Sequence, residues 1–198
     1  MNPNFLKSVI KGNEYVQACT SNKAKDIHSL SSLVDRSMSQ SDCIKLGTGL
    51  EKVFSELIVV LNPDLTDIKP KNSRGKKERD HLFANEKTKT IFYAELKSNL
   101  NLDTEKCKST TAKCLQIEAE LAEEYPEYTI KMFLVGLRYL NRSMFPSVIS
   151  FKYTEIEDHM VGVNDYFEAL TTGGSGDLFT DEQAYKEFLT YLAYQMFK

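Results

Sequence analysis

The stretch Thr90-Ile91-Phe92-Tyr93-Ala94-Glu95-Leu96-Lys97 limits the possible folds more than any other part of the sequence. It is rich in β-branched and aromatic residues. A polar turn from Asn85 to Lys89 joins it to Asp80 through Ala84, so the two segments read as a hairpin. Side chains alternate along a strand. Phe92, Ala94 and Leu96 therefore face a core, while Glu95 and Lys97 stand side by side on the other face, roughly 7 Å apart. With a turn centred between residues 86 and 88 and an odd register sum, Asp80 falls opposite Tyr93 or Glu95 on that same face. A slip of one residue would turn it away. In the favourable registers Asp80 and Glu95 can hold a hard divalent cation through oxygen beside the Lys97 ammonium, a layout suited to attack on a phosphodiester.

The rest of the chain supplies elements to pack around that hairpin. Phe5, Leu6, Val9, Ile10 and Val16 recur at helical spacing, and Ile27, Leu30 and Val34 form a weaker second pattern. After the serine-rich stretch 37–41, residues 48–61 place Leu50, Val53, Phe54, Leu57, Ile58 and Leu61 on one broad face, and Pro63 ends that helix. Glu51 and Glu56 lie at its rims, about 100° and about 120° from the apolar centre at 100° per residue. Residues 62–77, with Pro63, Pro70 and Gly75, read as an irregular loop. Asp103 or Thr104 caps a helix running to about Glu124, Pro126 closes it, and 130–140 reads as a buried strand with a loop leaving it at 138–147. A short helix near 164–170 precedes the glycine-rich break 171–176. The last helix opens on a capping box, Thr180-Asp181-Glu182-Gln183, and buries Ala184, Phe188, Leu189, Leu192 and Met196. This order predicts an α/β (α+β) fold, a single domain over residues 1–198 with a mixed central sheet and flanking helices.

Composition narrows the function classes. With 198 residues, 41% of them hydrophobic, the chain can bury one ordinary core, and 27% charged residues with a net charge of −3 exclude a uniformly cationic nucleic-acid coat. The longest apolar run, Leu57 to Leu61, is far short of a bilayer span, and no apolar signal core begins the chain, so a cytoplasmic protein without membrane association is expected. Cys19, Cys43, Cys107 and Cys114 lack zinc spacing and read as reduced thiols. The charge is segmental. Residues 69–113 carry twelve bases against six acids, whereas 114–198 carry six against fourteen, so the middle of the chain offers a positive surface to a polyanion.

A glutamate followed two places later by lysine means little alone, because lysine is 20 of 198 residues. Asp67-Ile68-Lys69 has the same spacing, in a loop with no strand pattern around it. What carries weight is the conjunction of a rim glutamate on a core helix, Asp80, Glu95-Leu96-Lys97 on an amphipathic strand, then a lysine-bearing helix and another strand. Here the chain resembles the PD-(D/E)XK nuclease superfamily and, within it, the type II restriction endonucleases. The resemblance runs from Arg79-Asp80-His81-Leu82-Phe83 through Ala94-Glu95-Leu96-Lys97 to Lys106. It covers a restriction-endonuclease-like core at about 46–140, with the N-terminal helices (1–45) and 141–198 as elaborations. Arg79 stands where the family name expects proline.

The resemblance implies Asp80 and Glu95 as Mg²⁺ ligands, Lys97 as the catalytic lysine and a helical glutamate as auxiliary acid. Glu51, following Gly47-Thr48-Gly49 and nearer the apolar face, is preferred to Glu56. It implies an endonuclease hydrolysing duplex DNA at a specific site to 5′-phosphate products. The expected form is a homodimer, with the C-terminal amphipathic helix as one candidate contact and a cognate methyltransferase in the same system. A nicking or heterodimer subunit, a repair or resolvase nuclease, and a non-catalytic DNA-binding domain are the alternatives. Lys76, Lys77 and Arg79 of the basic loop, and Lys106 on the following helix, are candidates for phosphate contact. Arg138 and Arg142, beside Tyr139 and Asn141, have the donors to read base edges. Lys108 and Lys113 read with Lys106 as a solvated helix face or, following a nuclease core, as further phosphate contacts. His81 alternates away from Asp80 and reads as packed, and His28 and His159 have no partner spacing.

Overall fold

The computed structural model describes residues 30–34, 36–70, 77–171 and 177–197; the helix expected over residues 5–16, Lys76 and most of the glycine-rich break lie outside them. Its longest helix, α1 (Gln40–Leu61), starts eight residues before the expected Thr48. The serine-rich stretch is its cap. Ser39 Oγ accepts from the Asp42 N–H at 3.1 Å and Asp42 Oδ2 accepts from the Ser39 N–H at 3.0 Å, which satisfies two of the donors a helix start leaves open. Asn62 closes the other end, its side-chain amide donating to the Ile58 carbonyl at 3.0 Å.

The segment expected to be irregular holds a short strand, β1 (Leu65–Asp67), paired antiparallel with β2 (His81–Asn85). Three residues are too few for an alternation to show in sequence. β2 turns into β3 (Thr90–Lys97) through residues 86–89, where Asn85 Oδ1 accepts from the Lys87 and Thr88 N–H groups and Lys89 takes a positive φ of 49°. His81 pairs with Ala94 and Leu82 with Tyr93, the odd-sum register that brings Asp80 opposite Glu95. Asp103 caps α2 (Thr104–Glu124), accepting from the Lys106 N–H at 2.8 Å, and the chain returns as β4 (Thr129–Gly136), parallel to β3. β4 stops short of the expected Leu140, with the chain turning at residues 137–138 directly after Gly136, where a Cβ would come within 2.9 Å of Leu100. A helix not expected from sequence, α3 (Ser147–Lys152), precedes β5 (Met160–Val161), parallel to β4. Then come α4 (Val163–Leu170) and α5 (Glu182–Met196). Asp181 caps α5, accepting from the Ala184 N–H at 2.8 Å, where the sequence suggested Thr180; Ala184 is half-exposed and Tyr185 takes the buried position.

The sheet order is β1-β2-β3-β4-β5, with both faces covered. Phe83, Phe92, Ala94 and Val135 pack on one face against α1, α4 and α5; Leu82, Ile91, Tyr93 and Leu134 pack on the other against Cys107, Cys114, Ile117 and Leu121 of α2. This is the mixed central sheet with flanking helices that the element order predicts. Phe54 of α1 sits edge-on to Phe167 of α4 at 5.3 Å and stacks with Phe188 of α5 at 6.2 Å, a packing whose deletion to alanine costs about 3–5 kcal/mol. No helix among the described residues is long and apolar enough to cross a membrane.

Candidate active site

The functional groups gather where β2 begins and β3 ends. Asp80 immediately precedes β2, and its Oδ2 accepts from the Leu96 N–H at 2.7 Å, which ties it to the strand carrying Glu95 and Lys97. Glu95 is 1% exposed. Its Oε1 accepts from Lys97 Nζ at 2.7 Å, and its Oε2 accepts from Lys113 Nζ at 2.6 Å and from the Tyr93 hydroxyl at 3.2 Å. These three donors replace the hydration that a carboxylate this deeply buried gives up. At Lys113 burial works against the ammonium, but the hydrogen bond and charge of Glu95 outweigh it and its pKa is raised.

Glu51 approaches from α1, and what fixes it is a backbone contact. The buried His81 ring bonds the Glu51 carbonyl through Nε2 at 2.8 Å and the Tyr166 hydroxyl through Nδ1 at 3.1 Å. The carbonyl can only accept, so Nε2 carries the proton and Nδ1 accepts from Tyr166. Burial pushes the His81 pKa down to about 4, which keeps the ring neutral and packed, as its alternation suggested. The Glu51 carboxylate forms an ion pair with Lys69, whose ammonium also donates to the Asp80 carbonyl at 3.0 Å.

A cleft of about 580 Å³ opens between Gly47, Thr48 and Glu51 of α1 and Asp80, Lys97 and Ser98 at the strand ends. Burial, with the neighbouring Glu95 charge, pushes the Asp80 carboxyl up to about 6. Among the described residues no three His, Cys, Asp or Glu side chains converge as a metal-holding group, since Glu51 and Glu95 are turned onto lysines. The donor chemistry nonetheless fits a hard divalent cation: carboxylate oxygens, one of them crowded by negative charge that a cation would relieve.

A family model described as type II restriction endonuclease, HinfI, matches residues 5–143, well over half of the chain. The chain belongs to the HinfI type II restriction endonuclease family. No curated protein and no solved structure matches. The HinfI-family match takes in Glu51, Asp80, Glu95 and Lys97 and ends before α3, and the mixed sheet with its flanking helices is the restriction-endonuclease-like fold of the PD-(D/E)XK kind. The protein is thus a nuclease whose substrate is DNA.

Of the expected DNA contacts in this HinfI-family nuclease, Lys77 and Lys106 are exposed, Lys106 lying 3.2 Å from Asp103. Arg79 departs from expectation. It is 4% exposed, with its guanidinium 3.5 Å from both Glu120 and Glu124 of α2, so its charge is taken up inside the chain instead of reaching a phosphate. Arg138 hydrogen-bonds Ser32, and Arg142 lies 3.9 Å from Glu157 and 3.8 Å from Asp158 on the surface. Neither Lys69 nor Lys113 is marked by the sequence as a partner of the site carboxylates: Lys69 belongs to the triplet with no strand pattern around it, and Lys113, expected on a solvated helix face or at a phosphate, sits next to the buried Cys114 at the rim of the apolar stripe of α2.

Proposed function

We propose that this nuclease hydrolyses duplex DNA at a specific site in a Mg²⁺-dependent reaction, with Asp80 and Glu95 as the cation ligands, Glu51 as an auxiliary acid and Lys97 as the catalytic lysine. The observation that carries this reading is the register placing Asp80 opposite Glu95, with Lys97 two residues on in the wall of the same cleft. Bound Mg²⁺ would supply charge neutralisation at the phosphate and acidify the attacking water. Asp80, held by the Leu96 N–H, keeps its second oxygen for the cation, and Glu95 offers Oε1 once Lys97 leaves it. The freed Lys97 ammonium then orients the nucleophilic water and stabilises charge on the phosphoryl oxygens. The water oxygen bonds to phosphorus in line with the departing 3′ oxygen as the P–O3′ bond breaks, and the proton the water gives up is returned through solvent to that 3′ oxygen, leaving a 5′-phosphate and a 3′-hydroxyl.

A homodimer acting on a palindromic site, a cytoplasmic location and a cognate methyltransferase protecting host DNA are parts of the same proposal. Lys77 and Lys106 are the proposed phosphate contacts, and Arg142, with Arg138, the proposed readers of base edges. Incubating the protein with a long unmethylated duplex and Mg²⁺, then sequencing the fragment ends, tests it. One recurrent sequence at every end supports the reading. Intact DNA, or ends without a common sequence, would count against it.

A further inference from the structure

Two ammonium groups meet the buried Glu95 carboxylate. Lys97 belongs to the acid–lysine triplet and lines the cleft; Lys113 belongs to α2, on the sheet face opposite α1, and approaches Glu95 from that side. They divide the carboxylate between them, Lys97 on Oε1 and Lys113 on Oε2, and the Tyr93 hydroxyl adds a second donor to Oε2. With the Glu95 side chain only 2% exposed, no solvent is at hand to replace a departing partner. Yet the proposed mechanism requires Lys97 to depart, because its ammonium cannot both cover Oε1 and act on the substrate.

We infer that Lys113 is a positioning residue for cleavage: by fixing Oε2 of Glu95 from α2, it directs Oε1 toward Asp80 and frees Lys97 for the reacting phosphate. This role of Lys113 rests on the proposed metal role of Glu95. Two donors converging on Oε2 hold that oxygen still, so rotation of the carboxylate is resisted and only Oε1 is left for exchange. If Lys113 is removed, Lys97 becomes the sole cation on a buried carboxylate and is bound to it more tightly. Both cation binding at Oε1 and the release of Lys97 then suffer, while DNA contacts are untouched. A lysine that merely found the nearest acid would produce neither effect.

The test compares Lys113→Met, Lys113→Gln and Lys113→Arg with the full-length parent. Mn²⁺ binding to the DNA-free protein is followed by calorimetry, and cleavage is followed under single-turnover conditions across a Mg²⁺ series. The two neutral variants should bind Mn²⁺ about 10- to 100-fold more weakly and cut with a similarly reduced maximal rate, the range typical of residues that orient a metal ligand. DNA affinity measured in EDTA should stay within about threefold of the parent, since Lys113 acts behind Glu95 and touches no DNA. Lys113→Arg, which restores a cation at Oε2, should recover most of both losses. Parental or tighter Mn²⁺ binding by the neutral variants would overturn the inference, as would an arginine variant as impaired as methionine. Glu95→Gln, titrated alongside, separates the two readings. If it binds Mn²⁺ like the parent, the metal site itself is misplaced; if it loses Mn²⁺ while Lys113→Gln does not, only the role of Lys113 fails.

Discussion

The chain carries the same spacing twice, Asp67-Ile68-Lys69 and Glu95-Leu96-Lys97, and the structure gives the two triplets different surroundings. Asp67 ends the edge strand β1, is exposed, and spends its carboxylate on local bonds, accepting from Ser55 Oγ at 3.0 Å and from the Lys69 N–H at 2.9 Å. Its partner across the ladder is Phe83. Glu95 lies on β3, which is flanked by β2 and β4, and it is buried, with Asp80 opposite. Position within the sheet, and not spacing, decides whether a second acid stands across from the first. Lys69 also has a strand beside it after all, and its ammonium reaches Glu51 in the cleft. The two triplets thus send lysines to one place while only one of them sends its acid.

The comparison is broken most sharply at the acids. Glu95→Gln and Asp80→Asn should each lower single-turnover cleavage by roughly three orders of magnitude or more, whereas Asp67→Asn should leave it within about twofold. Comparable losses in all three would mean that sheet position does not distinguish the triplets. At the lysines the gap narrows. Lys97→Ala should cut roughly 100- to 1,000-fold more slowly while binding DNA normally, and Lys69→Ala, acting through Glu51 and the Asp80 carbonyl, about tenfold or less. A Lys69 effect as large as that of Lys97 would place Lys69 among the reacting groups.

A smaller effect concerns stability. The folded Asp80 carboxyl is held at about 6, above its unfolded value of 3.8. The folded state therefore binds the extra proton between those values, stability falls as pH rises through that window, and the whole penalty is present above it. Asp80→Asn removes that charge and keeps an oxygen for the Leu96 N–H. In EDTA at pH 8 it should melt a few degrees higher than the parent, reflecting about 1–3 kcal/mol, while Asp67→Asn should shift the midpoint by about a degree or less. A parent that melts above Asp80→Asn in calorimetry would show that the carboxylate is not strained without metal. The smallest effect belongs to the solvent-facing bases. Lys77→Ala or Lys106→Ala should each reduce the slope of log affinity against log salt by about 1 or less, and Arg79→Ala should leave that slope unchanged while lowering the melting temperature.

Local signals were legible and long-range ones were not. The helix cap at 103 or 104 and the apolar stripe of α1 follow from side-chain chemistry within a few residues; the hairpin register stays open in the sequence between odd and even sums, and the odd sum found in the structure brings Asp80 and Glu95 together. The start of α1 was hidden because serines read equally as a break and as a cap. β1, β5 and α3 are too short to show a period. Lys69 and Lys113 meet Glu51 and Glu95 across 18 residues each, and Arg79 meets Glu124 across 45, pairings that no spacing rule encodes.

The hydroxyl of Tyr185 donates to the Leu137 carbonyl at 2.5 Å, one residue past the end of β4. Leu137 lies inside the stretch the family signature covers and Tyr185 well beyond it, on a helix whose Phe188 and Leu189 share a core with Phe54 of α1. What is recognisable by descent is therefore smaller than what stands up mechanically. A gene cut after codon 143 would retain every residue that marks the family and lose the buttress behind β4, and with it much of the wall against which α1 holds Glu51. Exchanging the C-terminal region between relatives would be a change of foundations, felt at the cleft, and not the swap of an accessory.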